Sequence, residues 1–331
     1  MIRLRRYKKK RKHACFSFLF TQIIFVVSQK MRNFARKNQV VMRFSIFGNT
    51  HQTNKSSSIQ RVLDCLTAHG DEVYIEREFY SFAIQSHQVS MKPDGLIDDD
   101  RFEADMALSL GGDGTLLKTA AWVGSKQIPI MGVNMGRLGF LADVSSDETE
   151  EAIKAVHRGD YALERHSVIE IRGDGGQLFD KPFALNDIAV LKRDNASMIT
   201  IECQIDGEPL VNYQADGLIV STPTGSTAYS LSNGGPIVMP GADILCLTPV
   251  APHSLNVRPI AIPADSEVGL TVRSRTHQYL VAIDGRSEQC HELTRLTIRR
   301  AAHEVLIVKR CGRSYIDTLR QKMMWGQDVR S

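Results

Sequence analysis

The chain changes rhythm once, near His166, and that change limits its fold more than any other feature. Before it, apolar runs alternate with amphipathic ones. Residues 42–48 alternate and stop at Gly48, which predicts a strand. Ser56–Ser58 can cap a helix, Ile59, Val62, Leu63 and Leu66 follow at helical spacing, and Gly70 ends it. Glu72–Ile75, Met106–Leu110 and Ile128–Val133 read as further strands, and Thr115–Val123 and Thr149–Val156 as helices. Alternating strands and helices predict a parallel sheet covered on both faces, with ligands beyond the carboxyl ends of its strands.

After His166 the apolar segments are short, β-branched and closely spaced: Val168–Ile171, Ile188–Leu191, Met198–Ile205, Leu218–Ser221, Val268–Val272, Tyr279–Ile283, Leu296–Ile298 and Val305–Val308. Asp206-Gly207 and Asp284-Gly285 are hairpin-type turns. The pattern predicts a mainly antiparallel all-β domain. Tyr315–Trp325 reads as a helix that returns to the first domain. The expected organisation is an extension at 1–41, an α/β domain at 42–165, an all-β domain at 166–312 and a returning segment at 313–331.

Charge is unevenly placed. Residues 1–41 hold twelve Lys/Arg and no acid, so the remaining chain carries 29 bases against 37 acids, a net of −8. An acidic body gives no basic face for nucleic acid. The extension pairs a basic stretch, RLRRYKKKRKH, with a short apolar one, CFSFLFTQIIFVV, which mimics a signal peptide. The apolar stretch is too short and too polar, with Ser17, Thr21 and Gln22, to span a bilayer comfortably, and no small-residue cleavage pattern follows. Of a signal or anchor, a disordered tail and a start placed upstream of Met42, the last two fit better. The expected location is the cytoplasm, with no membrane partner. The six cysteines form no CxxC pair and no HExxH occurs, so reduced thiols are expected and a structural zinc is not.

The chemistry centres on LSLGGDGTLLK, residues 108–118. An apolar strand stops at Gly111 and Gly112, Asp113 and Gly114 follow, and a helix starts. Strand, glycine turn and helix start present backbone N–H groups to a phosphate. Asp113 is then out of place: beside phosphates a carboxylate is unfavourable unless it binds a cation or takes a proton. In phosphoryl transfer an aspartate can accept the proton of an attacking hydroxyl. The other reading, Asp113 as an ordinary turn and cap residue, is weaker because the glycines already supply the freedom. Lys118, one turn into the helix, reads equally as a phosphate partner or as a surface lysine.

A second site is suggested downstream. Asp216 to Gly235 interleaves Ser221, Thr222, Thr224, Ser226, Thr227, Tyr229, Ser230 and Ser232 with Gly217, Gly225, Gly234 and Gly235. Such density suits a ligand rich in hydroxyls and amides, and Tyr229 could stack on a base. Asn186-Asp187 can fork onto the two hydroxyls of a ribose, or can be a turn. His166 and His253 have no recognisable partner in sequence and stay outside the catalytic set.

These motifs carry a family resemblance. GGDGT is shared by NAD kinases, diacylglycerol kinases and sphingoid kinases. NMGRLGFL (134–141), LNDIAV (185–190), DGLIVSTPTGSTAYSLSNGGPIV (216–238) and TPVAPHSLNVRPI (248–260) resemble NAD kinases in particular. The resemblance runs from about Met42 to the C-terminus. It implies a phosphofructokinase- or Rossmann-like first domain. It implies transfer of a phosphoryl group from ATP, or inorganic polyphosphate, to the 2′-hydroxyl of the adenosine ribose of NAD. It implies Asp113 as the base and a divalent ion, Mg²⁺, on the donor phosphates at Gly111, Gly112 and Gly114, without naming its protein ligands. It implies a dinucleotide pocket of Asn186, Asp187, Asp216, Thr224, Thr227, Ala228, Tyr229, Ser230, Leu231, Ser232 and Ala251, and a homo-oligomer, dimer or tetramer. Two positions depart from the family pattern: Asp187, where the acid is usually Glu, and Arg286, where a neutral amide is common. The rivals are a lipid kinase with the same GGDGT turn and a non-catalytic NAD(P) sensor.

Overall fold

The computed structural model describes residues 41–324, less 51–55, 87–89, 91, 137–138, 177, 194–196 and 311–313. The extension, with its apolar stretch Phe16–Val27, therefore lies outside the described residues, as do parts of the NMGRLGFL motif and the end of the helix read to Trp325.

The first part follows the alternation. Strands β1 (Arg43–Gly48), β2 (Glu72–Glu76), β3 (Gly95–Ile97), β4 (Met106–Gly111) and β5 (Ile130–Asn134) run in the order β5-β4-β1-β2-β3, all neighbours parallel. Helix α1 (Ser56–His69) buries Ile59, Val62, Leu63 and Leu66, the stripe its spacing predicts. Helix α2 (Arg77–Gln85) buries Phe79 and Ala83. Helix α3 (Asp113–Val123) starts directly after the glycine turn and buries Leu116, Ala120 and Val123 beside Phe47 and Ile130. Leu116 is fully buried, so its truncation to Ala would cost about 2–5 kcal/mol and loosen the helix that carries Asp113. A short β6 (Val144–Ser145) and helix α4 (Thr149–Arg158) complete this part.

The remaining strands are β7 (Tyr161–Gly173), β8 (Phe183–Ala184), β9 (Asp187–Lys192), β10 (Ile199–Ile205), β11 (Glu208–Ala215), β12 (Gly217–Ser221), β13 (Ile244–Val250), β14 (Ile260–Pro263), β15 (Val268–Arg273), β16 (Gln278–Ile283), β17 (Arg286–His291) and β18 (Arg295–Arg310). Six of them form an antiparallel sheet, β14-β13-β12-β9-β16-β17. The others do not form a separate sheet. β18 pairs antiparallel with β15 and β7 along its length and reaches β5 in parallel at Ile307 and Ile130. One mixed sheet of twelve described strands thus runs from β11 to β3. β7 crosses residue 166 unbroken, so the change of rhythm falls inside a strand.

Both Asp-Gly hairpins form as their sequence requires. Asp206, Gly207, Asp284 and Gly285 all have positive φ (52°, 82°, 47° and 82°), and their flanking residues pair as Ile205 with Glu208 and Ile283 with Arg286. The two antiparallel faces enclose a core of Ile188, Val190, Leu218, Val220, Val281 and Ile283 with Ile201, Leu270 and Ile298. After this core come a four-residue helix α5 (Tyr229–Ser232), placed between β12 and β13, and the last helix α6 (Tyr315–Met323).

Candidate active site

Asp113 is the first residue of α3, and its side chain turns back from the helix to hold another loop. Its Oδ1 accepts N–H bonds from Leu141 and Ala142, both at 3.0 Å, and Oδ2 accepts one from Phe140 at 2.7 Å. The chain must pass close for this: a Cβ at Gly139 would fall on Asp113 Oδ1. Lys322 of α6 places Nζ 3.6 Å from Oδ2 and 4.6 Å from the centre of the Phe140 ring. Gly112 and Gly114, beside it, face open space, and Gly111 is packed against the Thr115 side chain. The turn thus keeps two approachable backbone positions around an anchored carboxylate.

Lys118 is less free than its position suggests. Its Nζ lies 2.8 Å from Glu76 and 3.0 Å from Glu78. Burial works against its charge, but the bonds to Glu76 and Glu78 outweigh it and hold Lys118 above the usual lysine range.

Asp284 performs the same act on Asn186-Asp187. It accepts N–H bonds from Leu185 at 2.7 Å, Asn186 at 2.8 Å and Asp187 at 3.1 Å. Asn186 is fixed from the other side as well. Its carbonyl accepts the Thr222 N–H at 2.9 Å, and Gly225 presses so close that a Cβ there would overlap that carbonyl. The Asn186 Oδ1 atom is buried and has no hydrogen-bond partner among the described residues. Asp187 is buried; burial first, then the charge of Asp284, push its carboxyl up to about 7 against the bond it takes from the Tyr229 N–H.

The hydroxyl-rich segment divides. Thr224 and Thr227 line a cleft with Phe140, Leu141, Glu164, His166 and Tyr315, so the loop that holds Asp113 and this segment share one opening. Thr224 Oγ1 is 2.8 Å from His166 Nδ1, which gives that buried histidine a structural partner. Tyr229 and Ser232 are exposed, and Leu231 is half-buried. Ala228 sits at the bend before α5 and donates its N–H to Gly225. Ser230 is not turned to the opening: it is fully buried, and its hydroxyl is 2.8 Å from Thr248. Ser226 likewise spends its hydroxyl on Pro223 at 2.6 Å. Asp216 pairs with Lys192 at 2.7 Å, and Ala251, exposed and at φ 43°, turns the chain after β13. A second cleft joins Gly114, Lys118 and Trp122 of α3 to Lys181, Asp284 and Arg286, so the end of the glycine turn and the Asp284 hairpin share an opening on this side.

The ATP-NAD kinase N-terminal domain matches residues 5–161 and the ATP-NAD kinase C-terminal domain matches residues 185–310. A curated NAD kinase of Bacteroides fragilis is 55% identical over 289 residues, which is 87% of this chain and all of that protein. One of Porphyromonas gingivalis is 42% identical over 87% of this chain and 99% of that protein. The chain belongs to the NAD kinase family. Among solved structures, an Archaeoglobus fulgidus NAD kinase in complex with ATP superposes with TM-score 0.65 at 25% identity, over 86% of this chain and 99% of that one. Yeast NADH kinase complexed with NADH gives TM-score 0.77 at 21% identity, over 88% and 90%, a likeness of fold.

Within an NAD kinase frame, three residues matter here that sequence reasoning did not place. Asp284 was visible only as the first half of a hairpin turn, Phe140 only as part of a motif, and Lys322 only as one basic residue on a final helix. A signal existed for the first: a buried Asp-Gly turn needs no carboxylate for its backbone angles alone. No local signal existed for Lys322, because its neighbours Asp113 and Phe140 lie about two hundred residues away in sequence.

Proposed function

We propose that this chain transfers the γ-phosphoryl group of ATP to the 2′-hydroxyl of the adenosine ribose of NAD, giving NADP, with Asp113 as the base. The observation that carries this reading is the bonding of the Asp113 carboxylate. Each carboxylate oxygen offers about two acceptor positions. Oδ1 has both filled by Leu141 and Ala142, and Oδ2 has one filled by Phe140. One position on Oδ2 remains for the proton of an attacking hydroxyl. The three N–H bonds fix the direction in which that position points, and orientation of this kind supplies much of the catalysis in phosphoryl transfer.

The remaining roles follow from the same geometry. Gly112 and Gly114 leave room for the donor phosphates at the start of α3. The buried, unpartnered Oδ1 of Asn186 and the carboxyl of Asp187 hold ribose hydroxyls. Thr224, Thr227 and the exposed Tyr229 line the dinucleotide side, with Ala228, Leu231 and Ser232 beside them; Ser230, Asp216 and Ala251 shape that wall. The described residues contain no group of three or more His, Cys, Asp or Glu able to hold a metal ion. An ammonium also stands 3.6 Å from Asp113. A protein cage for a divalent ion does not fit these residues. Mg²⁺ in this reading travels on the donor phosphates, as that ion commonly does, and no step is assigned to it. No helix among the described residues is long and apolar enough to cross a membrane. The reading keeps the cytoplasm as the location and a homo-oligomer as the assembly. The test is incubation of purified protein with NAD, ATP or polyphosphate, and Mg²⁺. NADP formed in proportion to enzyme supports the reading. Labelled product from diacylglycerol or sphingosine, with no NADP, overturns it.

A further inference from the structure

Lys322 touches the Phe140 ring and the Asp113 carboxylate from the last helix. Helix α6 opens with a capping box: Ser314 Oγ accepts the Asp317 N–H and Asp317 accepts the Ser314 N–H, both at 3.2 Å. Tyr315, Thr318 and Lys322 follow at i, i+3 and i+7, one face of the helix. Tyr315 lies against Phe140, ring centres 6.3 Å apart, and Ser314, Tyr315 and Thr318 line the cleft shared with Thr224 and Thr227. The helix buries no residue, so its face is turned to the cleft without being packed shut.

Lys322 ends that face. Its side chain is 26% exposed and that of Asp113 is 28%, with 3.6 Å between Nζ and Oδ2. At that length and exposure an ion pair adds little to stability. Among the described residues the ammonium has no acceptor at hydrogen-bond distance; its neighbours are the Phe140 ring and the Asp113 carboxylate. Three donors are thus available beside the one free acceptor position of Asp113.

We propose that Lys322 is a catalytic residue of the transfer, binding the oxygens of the phosphoryl group while it passes between donor and acceptor. This rests on Asp113 as the base. In the step, the 2′-oxygen forms a bond to the γ-phosphorus. The bond from that phosphorus to the β,γ-bridging oxygen breaks, and its electron pair leaves with ADP. The hydroxyl proton goes to Asp113 Oδ2. Lys322 keeps its proton throughout and offsets charge on the equatorial oxygens, a role in which preorganised donors are effective.

The test compares Lys322→Met, Lys322→Arg and Asp113→Asn with the wild type in kcat, KM for NAD, KM for ATP and thermal midpoint. Lys322→Met is expected to lose about a hundredfold in kcat. Its KM for NAD should stay within about threefold and its midpoint within about 2 °C. Lys322→Arg should recover at least about tenfold of the loss, because it keeps the charge. The inference is overturned if Lys322→Met turns over within about threefold of wild type. It is also overturned if the loss comes with a lowered midpoint and Arg restores nothing. An inactive Asp113→Asn beside an active Lys322→Met sinks this inference alone, whereas an active Asp113→Asn sinks the reading of the base.

Discussion

Asp113 and Asp284 each accept three consecutive backbone N–H bonds, the first from Phe140 to Ala142 and the second from Leu185 to Asp187. The bonding is alike and the surroundings are opposite. Beside Asp113 stands the Lys322 ammonium, 3.6 Å away. Beside Asp284 stands a second carboxylate, Asp187, which is pushed up to about 7. Asp284 itself is raised, by burial first, against its three N–H bonds and the charge of Arg286. The same device therefore yields two products. At the glycine turn it aims a carboxylate that keeps an acceptor position free. At the hairpin it spends a carboxylate on shaping Asn186-Asp187, and two acids lie side by side, both raised chiefly by burial.

The largest effect of breaking this comparison should come from Asp284→Ala. Three N–H groups lose their acceptor at about 1 kcal/mol each, part of which is returned by relief of Asp187, so a net loss of about 2–3 kcal/mol in stability is expected. Affinity for NAD should fall with it. Chemical denaturation and NAD titration read both; an unchanged denaturation midpoint would mean that Asp284 is not a clamp.

Asn186→Ala and Asp187→Ala come next. Asp187→Ala removes bonds to ribose hydroxyls worth about 1.5–3 kcal/mol for a charged partner, so KM for NAD should rise about tenfold to a hundredfold; Asn186→Ala removes neutral bonds worth about 0.5–1.5 kcal/mol, a rise of about twofold to tenfold. The assignment fails if KM for ATP moves instead.

Asp187→Asn gives a pH-dependent result. The folded-state pKa of Asp187 lies at about 7, above the ordinary 3.8. Below about pH 4 both folded and unfolded chains are protonated there and the group is neutral in its effect. As pH rises from about 4 to about 7 the unfolded chain ionises first, so the folded state loses stability across that window. Asp187→Asn should therefore be more stable than wild type at pH 8, with the advantage vanishing toward pH 4. A thermal midpoint difference that is flat across this range would contradict the raised pKa.

The smallest effect is expected at Lys118. Two carboxylates already offset it, so Lys118→Ala should change KM for ATP by less than about threefold. A tenfold rise would restore it as a phosphate ligand.

Much of this was legible in the sequence, and the exceptions have physical reasons. The strand–turn–helix at Asp113 and the two Asp-Gly hairpins depend on local backbone geometry, which glycine and aspartate announce. Helix α2, REFYSFAIQ, follows β2 with no glycine or proline between them, and its aromatics suit a strand as well as a helix. β11 is half-exposed at the sheet edge and carries Pro209, so it lacks an apolar run. β18 reads as two strands because RRAAHE interrupts its apolar residues, where the pairing with β7 shifts register between Arg300 and Glu304. In the site, Asn186, Asp187 and Thr224 stand on short motifs and could be found. The clamp on Asp113 and the approach of Lys322 are contacts between segments remote in the chain, and no local pattern encodes them. The hydroxyl count of the 221–232 segment misleads in one respect: Ser226 and Ser230 face inward and satisfy the loop itself.

The most direct measurement is NADP formation by Asp113→Asn, with NAD binding measured on the same preparation. Asn keeps one acceptor oxygen for the Leu141 and Ala142 N–H groups but cannot take a proton at the second position. The variant should bind NAD within about threefold of wild type and form NADP at least about a hundredfold more slowly. Turnover near the wild-type rate would show that the carboxylate held by Phe140, Leu141 and Ala142 is not the base.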